Sequence, residues 1–293
     1  MAISAQQVRE LREKTGLGMM TCKKALTEAN GNMEQAIDNL RKQGQATASK
    51  RAGKSANEGR VTVILTDSDA IMFEINCETD FVARGDDFTA LLNAVTPLIE
   101  SNKPANLEAA RALKSDSIGG ISIEEKVVEL MGKIGEKIAF RRYVYETFDP
   151  AKEKIFSYVH GGGKIGVLVK IASDSAEILS TGAAAELGKD CAMQIAASNP
   201  LAISRDDVPE EIVSKEKDIY FTQAKNSGKP EKVWEKIVDG KLNKYFKEIT
   251  LYEQEFIKDT DKSVAQRIQE AEKSAGGSLK ITWFKRFELG GEE

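Results

Sequence analysis

The sequence predicts an α+β protein: a small three-helix bundle, then two similar α+β subdomains with antiparallel sheets, the second carrying an inserted antiparallel helical hairpin. Three observations predict it. Apolar residues recur at helical spacing three times within the first 45 positions. From Arg60 the pattern changes to two-residue alternation, the mark of half-buried strands. The order hairpin, then helix, is met once from Val61 and again from Ile155, as in a weak internal duplication.

Taken in order, Ser4 can cap a first helix whose apolar face is Ala5, Val8 and Leu11, and Thr15-Gly16-Leu17-Gly18 breaks it. Cys22, Ala25, Leu26 and Ala29 line a second helix, which Gly31 stops. Asn32 with Gln35 forms a capping box for a third, which buries Met33, Ala36, Ile37 and Leu40. Such a bundle, residues 1–45, has a thin core. Met19 and Met20 either fill that core or offer an adaptable apolar surface. Residues 46–59 are expected as a basic linker, solvated rather than bound to RNA. Gly53-Lys54-Ser55 is not a phosphate loop, because Ala48 stands where the earlier glycine is required.

The first subdomain, 60–145, starts with a hairpin: Val61, Val63 and Leu65 alternate, Asp67-Ser68-Asp69 turns, and Ile71, Phe73 and Ile75 share one face of the return strand. A helix with Phe88, Leu91, Leu92 and Val95 follows, then one spaced Val127, Leu130, Met131, Ile134 and Ile138, then a strand from Phe140 to Tyr145. The second subdomain, 146–203 and 241–293, repeats the order. Its strands are Ile155 to Val159 and Lys164 to Ile171, its helix carries Leu187, Cys191 and Ile195, and the strand from Leu279 to Phe287 completes its sheet. The glycines of Gly161-Gly162-Gly163 serve a turn that needs positive φ. The hairpin insertion, 204–240, has one seam of Ile212, Val213, Ile219 and Tyr220 and another of Val233, Trp234, Ile237 and Val238, broken by Asn226-Ser227-Gly228. Those seams bury each other or also pack on a second copy. Gly290 to Glu293 are expected to fray.

Net charge of −4 over 293 residues gives no general reason to expect nucleic acid. No apolar run approaches the ~20 residues of a membrane span, and no secretory signal is visible after Met1. Cys22, Cys77 and Cys191 are isolated from one another, which suits a reducing cytoplasm and argues against a disulfide framework or a zinc site. No cofactor or metal site is expected. An enzyme built on Cys77 or on His160, the one histidine, finds no support in the spacing of either.

Asn76-Cys77-Glu78-Thr79-Asp80-Phe81-Val82-Ala83-Arg84 sits at the junction of strand and helix. Phe81 either folds inward as a staple for the helix or points outward to enter a partner. Spacing alone favours the inward reading, since apolar residues beside helix starts usually staple them.

Thr15 to Leu26 (TGLGMMTCKKAL) and Asn76 to Ala83 (NCETDFVA) resemble the two signatures of the bacterial elongation factor Ts family. Weaker matches are Lys133-Ile134-Gly135-Glu136 with Arg141-Arg142, His160 with Ile165 to Val169, Ala196 to Pro200, and Ser227 to Pro230. The likeness covers nearly the whole chain, and residues 99–121 carry no signature. Some members continue with an extra C-terminal helix, whereas this sequence stops soon after Leu289. The resemblance implies a guanine-nucleotide exchange factor, cytoplasmic and without covalent chemistry, acting on the GTPase elongation factor Tu. It implies a ubiquitin-associated-like bundle whose Arg12, Met19 and Met20 grip that GTPase. It places Thr79, Asp80, Phe81 and Val82 against the magnesium side of the partner, and His160 and Gly161 against a distal domain. It turns Phe81 outward. The hairpin is then a candidate contact for a homodimer or a dimer of heterodimers. The rival function is a non-catalytic protein- or RNA-binding adaptor.

Overall fold

Three helices open the chain: α1 (Ala5–Thr15), α2 (Met19–Glu28) and α3 (Met33–Arg51). The computed structural model describes residues 3–291. Ser4 and Gln7 cap α1 reciprocally, and Asn32 accepts the Gln35 amide at the start of α3, one half of the expected box. Val8, Leu11, Cys22, Ala25, Leu26, Ala36 and Leu40 form the bundle core, so the helical spacing and the packing agree.

The first subdomain runs β1 (Glu58–Leu65), β2 (Asp69–Cys77), α4 (Asp80–Arg84), α5 (Asp86–Asn102), α6 (Leu107–Ala112), β3 (Lys114–Ser115), β4 (Ile121–Ser122), α7 (Ile123–Ile134) and β5 (Ile138–Thr147). The second runs β6 (Glu153–His160), β7 (Ile165–Ala172), α8 (Ala176–Leu179), α9 (Gly182–Ser198), α10 (Glu210–Lys225), α11 (Trp234–Ile249), β8 (Glu255–Phe256), β9 (Asp259–Ser263), α12 (Val264–Ala275) and β10 (Lys280–Glu288). Each main sheet has three antiparallel strands with the second hairpin strand in the middle, in the orders β1-β2-β5 and β6-β7-β10.

The two halves repeat in detail. In each, a one-turn helix capped by Thr79 or Ser175 leads into a 17-residue helix, α5 or α9. Both long helices end on a left-handed residue, Lys103 (φ 45°) or Asn199 (φ 44°), with Pro104 or Pro200 next. A capping box (Ser122 with Glu125, Ser263 with Gln266) then starts a 12-residue helix, which Gly135 or Gly276 stops in the left-handed conformation. The third strand follows and pairs with the central strand of its sheet, as an edge.

The sheets stack back to back, which gives four layers of helix, sheet, sheet and helix. On its helix side the first sheet puts Ile71, Phe73 and Ile75 against Phe88, Leu91, Val95, Val127 and Leu130. The second puts Val167, Val169 and Ile171 against Leu187, Cys191, Ile195 and Ile268. Between the sheets lie Val61, Ala70, Met72, Ile155, Leu168 and Phe287. All nine residues of β2 are therefore buried. The sheets meet so closely at Gly166 that a Cβ there would stand 2.5 Å from Val61 Cγ1 and 2.9 Å from Met72 Sδ. Glu74, fully buried on this inner side, is paired with Arg141 and Arg142.

Some boundaries differ from the expectation. Helix α3 runs on through Arg51, so the first half of the stretch read as a linker is helical. Ala46, Ala48, Lys50 and Arg51 favour helix, and the helix packs on α7, where Gly44 and Gly132 bring the two backbones together. Helix α11 continues past 240 to Ile249, nine residues beyond the boundary read from the sequence, because Leu242, Tyr245, Phe246 and Ile249 prolong its apolar seam. Gly135 stops α7, so Ile138 belongs to β5 and not to that helix. The loose segment holds α6 and the β3–β4 ribbon. Gly290 donates its amide to Glu74 at 3.1 Å and the Gly291 carbonyl accepts from Arg141 at 2.6 Å, so both are anchored rather than frayed. Glu292 and Glu293, like Met1 and Ala2, lie outside the described residues.

Candidate partner-binding surface

The junction after β2 is built from the strand outward. Cys77 is the last strand residue and is buried, its thiol donating to the Thr79 carbonyl at 3.2 Å. Burial pushes that thiol up to about 12, with Glu136 and Glu58 adding to the shift. A protonated, enclosed thiol is packing material and no nucleophile. Cys191 is likewise raised to about 12, chiefly by burial.

Glu78 accepts two hydrogen bonds from Arg51 at 3.1 Å each and one from the Lys137 amide at 2.6 Å. Thr79 donates its amide to Glu136 at 3.1 Å and its hydroxyl to the same carboxylate at 2.9 Å. The hydroxyl oxygen also receives the Val82 amide, which caps α4. Two carboxylates therefore clamp the turn, one linked to the end of the bundle and one to the end of α7. On this base Ala83 points into the core, Val82 is half-buried, and Phe81 projects with 84% of its surface exposed. The staple role expected from spacing falls to Ala83 and Phe88, since position 81 lies on the opposite side of the single turn. Asp80 is paired with Arg84 at 3.4 Å on the surface, a contact worth little in water.

The same turn in the second half shows what the fold itself demands. Counting from the caps, Val82 and Ala83 correspond to Ile178 and Leu179, which are half-buried and buried in the same way. Phe81 corresponds to Glu177, which is exposed. An aromatic ring is therefore not needed at this position for the turn to form.

Met19 and Met20 begin α2 and are 59% and 75% exposed, which decides for a surface over a core role. Arg12 is exposed on the last turn of α1. Lys133 Nζ joins this loop to the Phe81 side: it lies 3.4 Å from where a Cβ on Gly16 would be and 2.5 Å from Asp87 at the start of α5. His160 is exposed at the end of β6, its Nδ1 2.9 Å from the Tyr158 hydroxyl, and Gly161 takes φ 61° in the turn. That turn is tied to the first half by the Val61 amide, which donates to the Gly163 carbonyl at 2.8 Å. Among the described residues there is no group of three His, Cys, Asp or Glu side chains placed to hold a metal.

A family model described as Elongation factor TS matches residues 78–291. The chain belongs to the elongation factor Ts family. The elongation factor Ts of Prosthecochloris aestuarii is 43% identical over 291 residues, a stretch covering 98% of this chain and 99% of that protein. That of Clostridium botulinum (strain Eklund 17B / Type B) is 45% identical, covering 98% and 93%. That of Chloroherpeton thalassium is 44% identical, covering 98% of each. The protein is thus a translation elongation factor of the Ts type, and the bundle ahead of the matched region lies within the span shared with these relatives. No helix among the described residues is long and apolar enough to cross a membrane.

Sequence reasoning gave no role to the residues that hold this turn. Glu78, Glu136, Arg51 and Lys137 make the turn rigid, yet none announces itself by periodicity. One signal was available for Glu136: it closes the Lys133-Ile134-Gly135-Glu136 match, directly after the helix-stopping Gly135.

Proposed function

We propose that the protein is a guanine-nucleotide exchange factor for the GTPase elongation factor Tu, acting in the cytoplasm during translation elongation. The observation that carries this reading is Phe81: a ring 84% exposed on a turn that two carboxylates make rigid, where the repeated half carries a glutamate. Leaving a phenylalanine in water forgoes about 2 kcal/mol. A stiff, exposed aromatic on a clamped turn is suited to entering a partner without first being ordered.

The partner's GDP is held in part by a magnesium ion that demands near-octahedral geometry, with bonds of about 2.0–2.1 Å. Phe81, flanked by Thr79, Asp80 and Val82, displaces the elements around that ion, and Asp80 reorients polar groups beside it. Arg12, Met19 and Met20 grip the nucleotide domain, and His160 with Gly161 reaches a distal domain. Factor and nucleotide then weaken each other's binding equally, a coupling typically of ~1–3 kcal/mol. Such a factor speeds release and leaves the exchange equilibrium unchanged. It needs no acid, base, nucleophile or cofactor of its own.

Dissociation of labelled GDP from the purified GTPase, with and without this protein, tests the proposal. Acceleration is expected; unchanged release alongside demonstrable binding would leave an adaptor instead. A homodimer through α10 and α11 is a separate matter. Ile219 and Phe221 are 40% and 45% exposed there, and light scattering of the protein alone and in complex measures it.

A further inference from the structure

We propose that Glu136 is the positioning residue of the exchange site, setting the direction of Phe81 through Thr79; this rests on the exchange reading above. The carboxylate accepts both the amide and the hydroxyl proton of Thr79. Once its proton is committed to Glu136, the hydroxyl oxygen presents a lone pair to the Val82 amide and caps α4. Hydrogen bonds to an ionised carboxylate are about twice as strong as neutral ones. One side chain therefore fixes the cap, the cap fixes the single turn, and Phe81 is the second residue of that turn.

The second half supports this by contrast. Counting from the helix stops, Glu136 corresponds to Gly277. A Cβ on Gly277 would stand 2.1 Å from Ile178 Cδ1, so an apolar side chain of α8 fills that space. There the turn is held by packing and shows Glu177 to solvent. In the first half the packing is replaced by a polar clamp, and the turn presents an aromatic. Holding the turn to the end of the following helix does not require a carboxylate; the clamp goes with the exposed ring.

The test measures labelled GDP release over a range of factor concentrations for the native protein, Glu136→Ala, Glu136→Gln and Phe81→Ala. The other contact groups are untouched, so the clamp acts on the maximal rate and not on capture. Glu136→Ala is expected to lower the maximal rate about tenfold while the half-saturating concentration stays within about twofold. Glu136→Gln, which keeps an acceptor for Thr79, is expected to fall between. A maximal rate in Glu136→Ala equal to the native value, with Phe81→Ala slowed, would overturn the positioning role and leave the exchange reading standing. A rise in half-saturation with the maximal rate unchanged would also overturn it. Native rates in both Phe81→Ala and Glu136→Ala would overturn the placing of the exchange site at Phe81, and the positioning role with it, whereas GDP release that the native protein leaves unchanged would overturn the exchange reading itself.

Discussion

Glu74 of β2 and Arg142 of β5 face each other across the first sheet, and their pairing ties the C-terminal segment of the chain to it. Arg142 donates to Glu74 at 2.6 Å and to the Glu288 carbonyl at 2.6 Å, and lies over the Phe287 ring. Glu74 also accepts the Gly290 amide. Removing the carboxylate takes its acidic partner from a guanidinium buried at the sheet interface. Glu74→Ala is expected to destabilise the protein by about 3–5 kcal/mol. Chemical denaturation of both proteins measures it; a cost under about 1 kcal/mol would mean that the interface admits water.

Gly166 decides how closely the sheets approach. With Val61 Cγ1 and Met72 Sδ at 2.5 and 2.9 Å from an added Cβ, Gly166→Ala must push the layers apart. The expected cost is about 1–3 kcal/mol, read as a lower melting temperature, with the helix content of far-ultraviolet circular dichroism retained.

Asp69 links pH to stability. Hydrogen bonds from Lys103, Tyr145 and Thr66 hold its carboxyl below the ordinary 3.8, the Lys103 contact foremost. A lowered folded value means that the contribution is present above the unfolded pKa and disappears as pH falls through the folded one. Lys103 is raised above 10.5 by the same contact, so its share disappears as pH climbs through that raised value. Asp69→Asn is expected to be less stable than native at neutral pH. The gap should close only below about pH 4; a gap that persists in acid would place its cause elsewhere than the charge.

Docking of the bundle depends on a glycine contact. A Cβ on Gly132 would stand 3.0 Å from Gly44 Cα, a backbone atom. Beside this crossing lies a cavity of about 320 Å³ lined in part by Ile37, Leu40 and Val128. Gly132→Val is expected to shift α3 and, with it, Met19 and Met20. Titration of the GTPase should show half-saturation about tenfold weaker, whereas unchanged half-saturation would show that the bundle's placement is irrelevant to binding.

Local patterns were legible where one neighbour decides burial. The Ile71, Phe73, Ile75 face, the bundle core around Cys22 and Leu26, and the repeated hairpin-plus-helix order all came from periodicity. What escaped depends on distant chain. Met72 is buried by a second sheet and Glu74 meets Gly290, 216 residues on, neither of which two-residue alternation reveals. Helix α3 outruns its apolar pattern because α7 supports it. At the candidate surface, the motif located Thr79 to Val82. The outward turn of Phe81 contradicts its spacing, and only the resemblance anticipated it. Glu136 stands in a weaker match to the family, but its bond to Thr79, 57 residues away, is visible only in the fold.

On the exchange reading, Phe81 serves the partner and not the fold. Replacing it with the residue found in the repeated half tests this most directly, because Glu177 already occupies an equivalent turn. Phe81→Glu should keep the native melting temperature within about 2 °C and, at saturating concentration, slow stimulated GDP release about tenfold or more. Stimulated release at the native rate from a stably folded Phe81→Glu protein would contradict the claim.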